Sequence, residues 1–359
     1  MAGTPPASDS AQRASSDAEL FSVDNMQLHT LPDKRVLCYR VYGAPGPSSA
    51  PPGAWAVYYH GTPSCCLEGA AFDDAARSLG ISLICTDRPG IGGSTSHRRQ
   101  SLASVVADTA SLLDAMGVAK VYLVGTSGGA PYAAAFAAQH PERSLGMALT
   151  AALAPTDRRH KELLKAMAGA DRFMFTMARY PVGGLRLMHG VMRYMANRHP
   201  QALLEHAPQG MAKVDGELMR NDPRVKANFG ACLQHAYKQG AVPMARDVKV
   251  LAGRWNVDMS GIMCPTAIWQ GADDLSVPVQ HAHWWASTIS GSELHIMESH
   301  GHVTLPLQMS HEILASLRVP QVAKAPLAEK EAPLAEEEAL GVGVDGGAAV
   351  VEPETTPSA

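Results

Sequence analysis

Residues 120–139 read KVYLVGTSGGAPYAAAFAAQ, and this stretch decides the fold. It joins a short apolar run, typical of a strand buried on both faces, to an alanine-rich segment typical of a helix. The pentad GTSGG, residues 125–129, lies between them and has the pattern G-x-S-x-G. A sharp turn there puts the Ser127 backbone in a sparsely populated conformation, and Gly125 and Gly129 remove side chains that would clash. The pattern therefore predicts an exposed serine hydroxyl at the end of a strand.

Further apolar runs repeat the strand pattern along the chain. They are AWAVYYH (54–60), SLICTD (82–87), GMALTAA (146–152) and CPTAIWQG (264–271). Segments of helical periodicity lie between several of them, so strand and helix alternate. This order predicts an α/β protein with a mostly parallel central sheet and helices on both faces. Two short runs after Asn25 are predicted to be antiparallel strands at the edge of that sheet.

The same pattern divides the chain into regions. Residues 155–260 interrupt the alternation with a long, mostly helical stretch, which is predicted to form a helical cap over the sheet. Residues 25–154 and 261–319 are predicted to form the α/β core. Residues 1–24 lack an apolar segment and are predicted to be a disordered leader, and residues 320–359 are predicted to be a disordered acidic tail.

Composition excludes several classes of protein. The 359 residues are 46% hydrophobic and 18% charged, which is typical of a soluble globular protein. The formal charge of -4 and the lack of a basic patch argue against a nucleic-acid partner. The sequence contains no apolar run long enough to span a membrane, so stable membrane insertion is not expected. Six cysteines are too few for a disulfide scaffold, so reduced thiols and a cytoplasmic location are expected.

Serine is a weak nucleophile at neutral pH, so Ser127 needs a base and the base needs an orienting partner. The loop GADDLSVP supplies Asp273 and Asp274, and the loop ESHGH supplies His300 and His302. The sequence favours Asp274 as the acid and His302 as the base. Asp273 and His300 remain the alternatives.

The loop HGTP, residues 60–63, follows another predicted strand, so its backbone N–H groups face the same edge of the sheet. The N–H groups of Thr62 and Gly128 are predicted to form an oxyanion hole. His60 and Gly61 are predicted to support this loop.

Two other patterns resemble ligand-binding motifs but predict structural roles. The glycine-rich stretch DRPGIGGS, residues 87–94, lacks a Walker lysine and is predicted to be a structural loop. His281 and His283, like His300 and His302, have a spacing that metal ligands can adopt. No cysteine or carboxylate set at ligand spacing joins them, so no metal site and no cofactor are predicted.

Together these motifs resemble those of the α/β-hydrolase superfamily, in particular its cap-bearing serine hydrolases: esterases, acylglycerol lipases and proline iminopeptidase-like enzymes. The resemblance extends from residue 25 to about residue 318 and rests on five motifs in order: HGTP, DRPGIGGS, GTSGG, GADDLSVP and GHVTLP. It implies the α/β-hydrolase fold. It also implies a role for each matched residue: nucleophile Ser127, acid Asp274, base His302, and oxyanion donors Thr62 and Gly128.

Departures from the family patterns argue against some of the activities found in the superfamily. The chain has HGTP where proline iminopeptidases have H-G-G-P-G, and GTSGG differs from their G-x-S-W-G, which argues against a peptidase. Epoxide hydrolases and haloalkane dehalogenases carry aspartate where this chain has Ser127, which argues against both of those activities.

The predicted function is hydrolysis of a carboxylic ester, or a similar acyl bond, of a small molecule through an acyl-enzyme, as in a carboxylesterase or lipase. Turnover is expected to decline below roughly pH 6 to 7, where an ordinary histidine base becomes protonated. Two alternatives stay open. One is a ligand receptor or interaction protein of the same fold with low turnover, and the other is an amidase or aminopeptidase acting on small substrates.

Overall fold

The computed structural model describes residues 19–43 and 54–317. Within them the chain forms eight strands and thirteen α-helices. The strands are β1 Gln27–Thr30, β2 Val36–Gly43, β3 Ala54–Tyr59, β4 Ile81–Thr86, β5 Val121–Thr126, β6 Ser144–Thr150, β7 Thr266–Gly271 and β8 Glu293–Met297. The helices are α1 Asp73–Leu79, α2 Leu102–Ala115, α3 Ala130–Gln139, α4 Lys161–Ala166, α5 Gly169–Met177, α6 Gly183–Arg198, α7 Pro200–His206, α8 Lys213–Asn221, α9 Pro223–Ala236, α10 Ala241–Ala252, α11 Val279–Thr288, α12 Thr304–Gln308 and α13 Ser310–Ala315.

The strands form one sheet in the order β1-β2-β4-β3-β5-β6-β7-β8. The β1–β2 and β2–β4 pairs are antiparallel, and every other neighbouring pair is parallel. The predicted mostly parallel sheet is therefore confirmed. The strands β4, β5 and β7 are buried at every position, whereas the edge strands β1 and β8 carry exposed residues. Apolar runs lie at the centre because parallel strands covered on both faces leave no side chain in water.

Alternate residues of β5 show that the sheet is covered on both faces. Val121 and Leu123 belong to one buried apolar cluster, to which α2, α3 and α11 contribute. Tyr122 and Val124 belong to a second cluster, to which α1 and α13 contribute. Successive side chains of a strand point to opposite faces, so the two sets of helices lie on opposite sides of the sheet.

Seven helices, α4 to α10, lie between β6 and β7, and we call residues 155–260 the insertion. A third buried cluster joins the insertion to the core. It contains Leu233 and Tyr237 of the insertion together with Leu67, which follows β3, and Ile91, which follows β4. The insertion therefore packs on loops at the carboxyl ends of the parallel strands.

The predicted leader overlaps the structured part of the chain at residues 19–24. Arg40 of β2 donates hydrogen bonds to the backbone carbonyls of Glu19 and Ser22, and Leu20 packs against an apolar cluster of the core. Contact with the sheet thus begins before residue 25. The rest of the predicted leader and the predicted tail lie outside the described residues.

Two findings bear on the cellular environment. All six cysteines are free thiols with buried side chains. Among the helices that the structure describes, none combines the length and the hydrophobicity needed to cross a lipid bilayer. The cytoplasmic location stays a prediction.

Candidate active site

The turn from β5 to α3 has the strained backbone that its sequence predicts. Ser127 has φ of 54°, a left-handed conformation that side-chain-bearing residues rarely adopt. A Cβ atom on Gly129 would lie 1.9 Å from the carbonyl oxygen of Tyr59, and one on Gly125 would lie 2.7 Å from Ala130 Cα. Only glycine fits at both positions. This close packing explains why the turn can hold Ser127 at the carboxyl end of β5.

The structure brings the three predicted side chains together in one hydrogen-bonded line. Ser127 Oγ lies 3.0 Å from His302 Nε2, and His302 Nδ1 lies 2.8 Å from Asp274 Oδ2. An ionised carboxylate only accepts hydrogen bonds, so Nδ1 carries the proton in the neutral imidazole. Nε2 is then free to accept the hydrogen bond of the Ser127 hydroxyl.

Asp274 is held by its own loop. Its Oδ1 accepts hydrogen bonds from the backbone N–H groups of Ser276, at 2.9 Å, and Val277, at 2.8 Å. Its Oδ2, which faces His302, also lies 3.2 Å from the amide nitrogen of Gln270. The carboxylate is buried, and these donors fix its orientation.

The alternative acid and base lie outside this line. Asp273 is exposed, and its backbone N–H donates to the His300 carbonyl at 2.9 Å. The His300 ring bonds to the Glu298 carbonyl at 2.8 Å. Both residues therefore belong to the loop structure around the site.

Two opposing effects set the pKa of His302. Burial lowers the pKa because it disfavours the charged imidazolium, but the negative charge of Asp274 and its hydrogen bond raise it. The charges of Asp171 and Asp215 act in the same direction as Asp274, and the pKa rises to about 9. Loss of the free base begins at a higher pH than the roughly 6 to 7 expected of an ordinary histidine.

The HGTP loop lies directly beside the serine turn. A Cβ atom on Gly128 would lie 3.1 Å from Thr62 Cβ, and one on Gly61 would lie 3.4 Å from Ser127 Cβ. The His60 ring is buried and bonds to the Gly61 carbonyl at 2.8 Å. Burial, with the nearby charge of Arg88, lowers the pKa of His60 to about 3, so this histidine is neutral. The residues predicted as oxyanion donors, and the residues predicted to support them, are therefore neighbours.

A fully buried ion pair between Arg88 and Asp247 fixes this loop, and sequence reasoning missed it. Arg88 Nη2 lies 2.8 Å from Asp247 Oδ2, and the same guanidinium donates to the backbone carbonyls of His60 and Gly61. The Thr62 hydroxyl donates to Asp247 at 2.7 Å. The charge of Arg88 lowers the pKa of Asp247 although burial alone would raise it.

Asp247 belongs to α10 of the insertion, and its position carries a signal that could have identified it. Met244, Val248 and Leu251 are buried on the same face of the helix, at spacings of three and four residues. An acid in the middle of an apolar face predicts a buried partner of opposite charge. Its carboxylate also accepts hydrogen bonds from Tyr132 at 2.9 Å.

The glycine-rich loop has the structural role that the sequence predicts. Asp87 accepts hydrogen bonds from the backbone N–H groups of Cys66, at 2.8 Å, and Gly93, at 2.9 Å. It also pairs with His235 of α9 at 2.9 Å. This loop is therefore another point where the insertion contacts the core.

The histidines at metal-ligand spacing lie in different surroundings. His281 accepts a hydrogen bond from the Ala154 N–H through Nδ1 at 3.0 Å, and His283 is exposed. Within residues 19–43 and 54–317, three side chains could together hold a metal ion. They are Cys38, Asp87 and His235, whose possible ligand atoms lie within 4.8 Å of one another. The hydrogen bonds of Asp87 already satisfy that carboxylate, so a hydrogen-bonded cluster explains these side chains.

Comparison with known proteins identifies the family. Residues 57–307, more than half of the chain, match the family described as alpha/beta hydrolase fold. The chain belongs to the α/β-hydrolase family.

Relatives of this α/β hydrolase are themselves hydrolases. The Bacillus subtilis (strain 168) protein named uncharacterized hydrolase YcgS is 24% identical over 244 residues, which cover 68% of this chain and 83% of that protein. The poly(3-hydroxyalkanoate) depolymerase of Ectopseudomonas oleovorans is 27% identical over 238 residues, which cover 63% and 70%. The crystal structure of the enol-lactonase from Burkholderia xenovorans LB400 has a TM-score of 0.60 at 17% identity, and covers 81% of this chain and 100% of its own. That structural likeness shows the shared fold.

Replacing Gly129 tests the close approach of the serine turn to β3. Gly129→Ala places a methyl group against the Tyr59 carbonyl, so we expect the free energy of unfolding to fall by about 1–3 kcal/mol or more. Gly190→Ala, in the middle of α6, meets nothing within 4 Å and is expected to stabilise by about 0.5–1 kcal/mol. Urea unfolding of the two variants provides the measurement. Equal midpoints for Gly129→Ala and the unsubstituted protein would contradict the packing.

Replacing Asp247 tests the buried ion pair. Asp247→Ala leaves the Arg88 guanidinium buried without its partner, so we expect a loss of about 3–5 kcal/mol of stability. Asp114→Ala removes the surface partner of Arg143, at 2.8 Å, and is expected to change stability by less than about 1 kcal/mol. Thermal and urea unfolding compare the two. A similar small effect at both sites would show that Arg88 finds another partner.

Proposed function

We propose that this α/β hydrolase is a serine hydrolase that cleaves a carboxylic ester, or a similar acyl bond, of a small molecule through an acyl-enzyme. The observation that carries the proposal is the hydrogen-bonded line from Ser127 through His302 to Asp274. The strained Ser127 backbone at the carboxyl end of β5 supports it, because the turn holds the nucleophile in a fixed position.

The proposed reaction has two halves. Ser127 Oγ attacks the carbonyl carbon while His302 Nε2 takes its proton, and Asp274 stabilises the resulting imidazolium. His302 then donates that proton to the departing alcohol oxygen, and the serine ester remains. A water molecule, deprotonated by the same imidazole, attacks this ester and releases the acid together with the Ser127 hydroxyl.

The negative charge that develops on the carbonyl oxygen needs donors. We propose the backbone N–H groups of Thr62 and Gly128, supported by the contact between their two loops. The start of α3 adds the positive end of a helix dipole at the same place. Loss of one such donor typically costs about 100- to 1,000-fold in rate.

We propose that the insertion covers the site as a cap. Its contacts with the loops after β3 and β4 support this role, as does the Arg88–Asp247 pair beside the oxyanion loop. The Ectopseudomonas oleovorans relative, named as a depolymerase of poly(3-hydroxyalkanoate), supports an acyl substrate.

Ser127→Ala tests the nucleophile. We expect this variant to lose fluorophosphonate labelling and to hydrolyse p-nitrophenyl acetate at the background rate, because it removes the hydroxyl that lies 3.0 Å from His302 Nε2. The control is Ser287→Ala, an exposed serine on α11, which should keep both properties. Undiminished hydrolysis by Ser127→Ala would refute the proposal. Paired ester and amide substrates of the same acyl group separate an esterase from an amidase, and tight ligand binding without turnover would indicate a receptor.

The pH dependence tests the base. Because His302 acts as a base only when neutral, kcat/KM should rise with pH up to its pKa of about 9. Asp274→Asn removes the charge that raises this pKa, so the inflection should move to lower pH and the rate should fall by about 10⁴-fold. Initial rates between pH 5 and pH 10 with a short aryl ester provide the measurement. An identical inflection in both proteins would show that Asp274 does not act on His302.

A further inference from the structure

We propose that Asp215, in α8 of the insertion, is a positioning residue that fixes the loop carrying His302. The insertion then controls the orientation of the base as well as access to the site. This inference rests on the proposed function, because it concerns the residue that we propose as the base.

The Asp215 carboxylate accepts hydrogen bonds from three consecutive backbone N–H groups of residues 300–304, which we call the histidine loop. Its Oδ2 accepts from the His302 N–H at 2.7 Å, and its Oδ1 accepts from the N–H groups of Val303, at 3.0 Å, and Thr304, at 2.8 Å. The Thr304 hydroxyl donates to the same Oδ1 at 2.9 Å. The side chain is buried, so water does not compete for these hydrogen bonds.

The N–H groups that Asp215 binds have no partner within their own helix. They belong to Thr304, the first residue of α12, and to the two residues before it, a region where backbone N–H groups lack an intrahelical acceptor and a side chain usually caps them. The residue before α12 is Val303, which has no acceptor in its side chain. The Asp215 carboxylate, from a different part of the chain, therefore supplies the hydrogen-bond acceptor that the local sequence lacks.

Close packing leaves Asp215 and the loop little freedom. A Cβ atom on Gly301 would lie 2.3 Å from Asp215 Oδ2, so only glycine lets the carboxylate come this close to the loop. Gly301 N–H in turn donates to the Thr304 hydroxyl at 2.6 Å. A movement of α8 would therefore displace the backbone of His302 and lengthen its bond to Ser127.

Asp215 also contributes its negative charge to the surroundings of His302. The ionisable groups whose charges act on the His302 imidazole are Asp274 after β7, Asp171 of α5, Asp215 of α8 and His281 of α11. Removing the charge at Asp215 alone leaves two acids in place. The pKa of His302 should then fall by a smaller amount than in Asp274→Asn.

The test uses the full-length protein with Asp215→Asn and a matched control in the same insertion. Asp222 caps α9 by accepting hydrogen bonds from the N–H groups of Arg224, at 2.8 Å, and Val225, at 3.2 Å, and it has no bond to the histidine loop. Asp222→Ala should lower the melting temperature but leave kcat and the pH profile unchanged. Asp215→Asn should lower kcat by about 10- to 100-fold with KM changed less than about threefold, and should move the inflection to lower pH.

A second variant covers the case in which Asp215→Asn does not fold. Gly301→Ala keeps the carboxylate but forces it away from the loop, and we expect the same fall in kcat. If the folded variants retain the kcat and the pH profile of the unsubstituted protein, Asp215 only stabilises the fold and the inference is wrong. If Ser127→Ala is as active as the unsubstituted protein, the proposed function itself fails and the inference fails with it. If Ser127→Ala is inactive while Asp215→Asn keeps full activity, the proposed function stands and only the inference about Asp215 is wrong.

Discussion

The arrangement of the site depends on one close approach of two backbones. The turn after β5 passes so near to the end of β3 that no side-chain atom fits on Gly129 beside the Tyr59 carbonyl. This contact places Ser127 and the start of α3 against the loop of Thr62. Ser127 itself has a left-handed backbone at this turn, which an isolated chain would not favour. The strain is sustained because the surrounding strands and helices are packed on both faces of the sheet.

Buried polar side chains of the insertion contact three loops of the core. Asp247 pairs with Arg88 beside the HGTP loop, His235 pairs with Asp87 in the glycine-rich loop, and Asp215 binds the loop of His302. Each of these groups would be costly to bury alone, so each favours one arrangement of the insertion on the core. Apolar packing between the insertion and the core favours their association. The polar contacts select the one position of the insertion in which these groups are paired.

Sequence reasoning predicted the parallel sheet and the meeting of Ser127, Asp274 and His302, because motifs at strand ends are local signals and strand ends share one edge. It could not predict the contacts of Asp215 and Asp247. Each is a single acid on a helix, and its partner lies far away in the sequence. The sequence also could not predict where the leader ends. That boundary depends on hydrogen bonds from Arg40 of β2 to the backbone carbonyls of Glu19 and Ser22. The pKa of His302 likewise reflects burial and several charges that only the folded chain brings together.

The insertion leaves the core after β6 and returns at β7, and these two strands are neighbours in the sheet. An excursion between adjacent strands can change length or sequence without altering strand order, so the sheet topology alone does not restrict this segment. Its three polar contacts limit that freedom. A chimaera that received a foreign segment lacking counterparts of Asp215 and Asp247 would leave the Arg88 guanidinium without its buried carboxylate partner. It would also leave the backbone N–H groups at residues 302–304 without their acceptor. A functional exchange of the insertion would therefore have to carry over these two carboxylates as well.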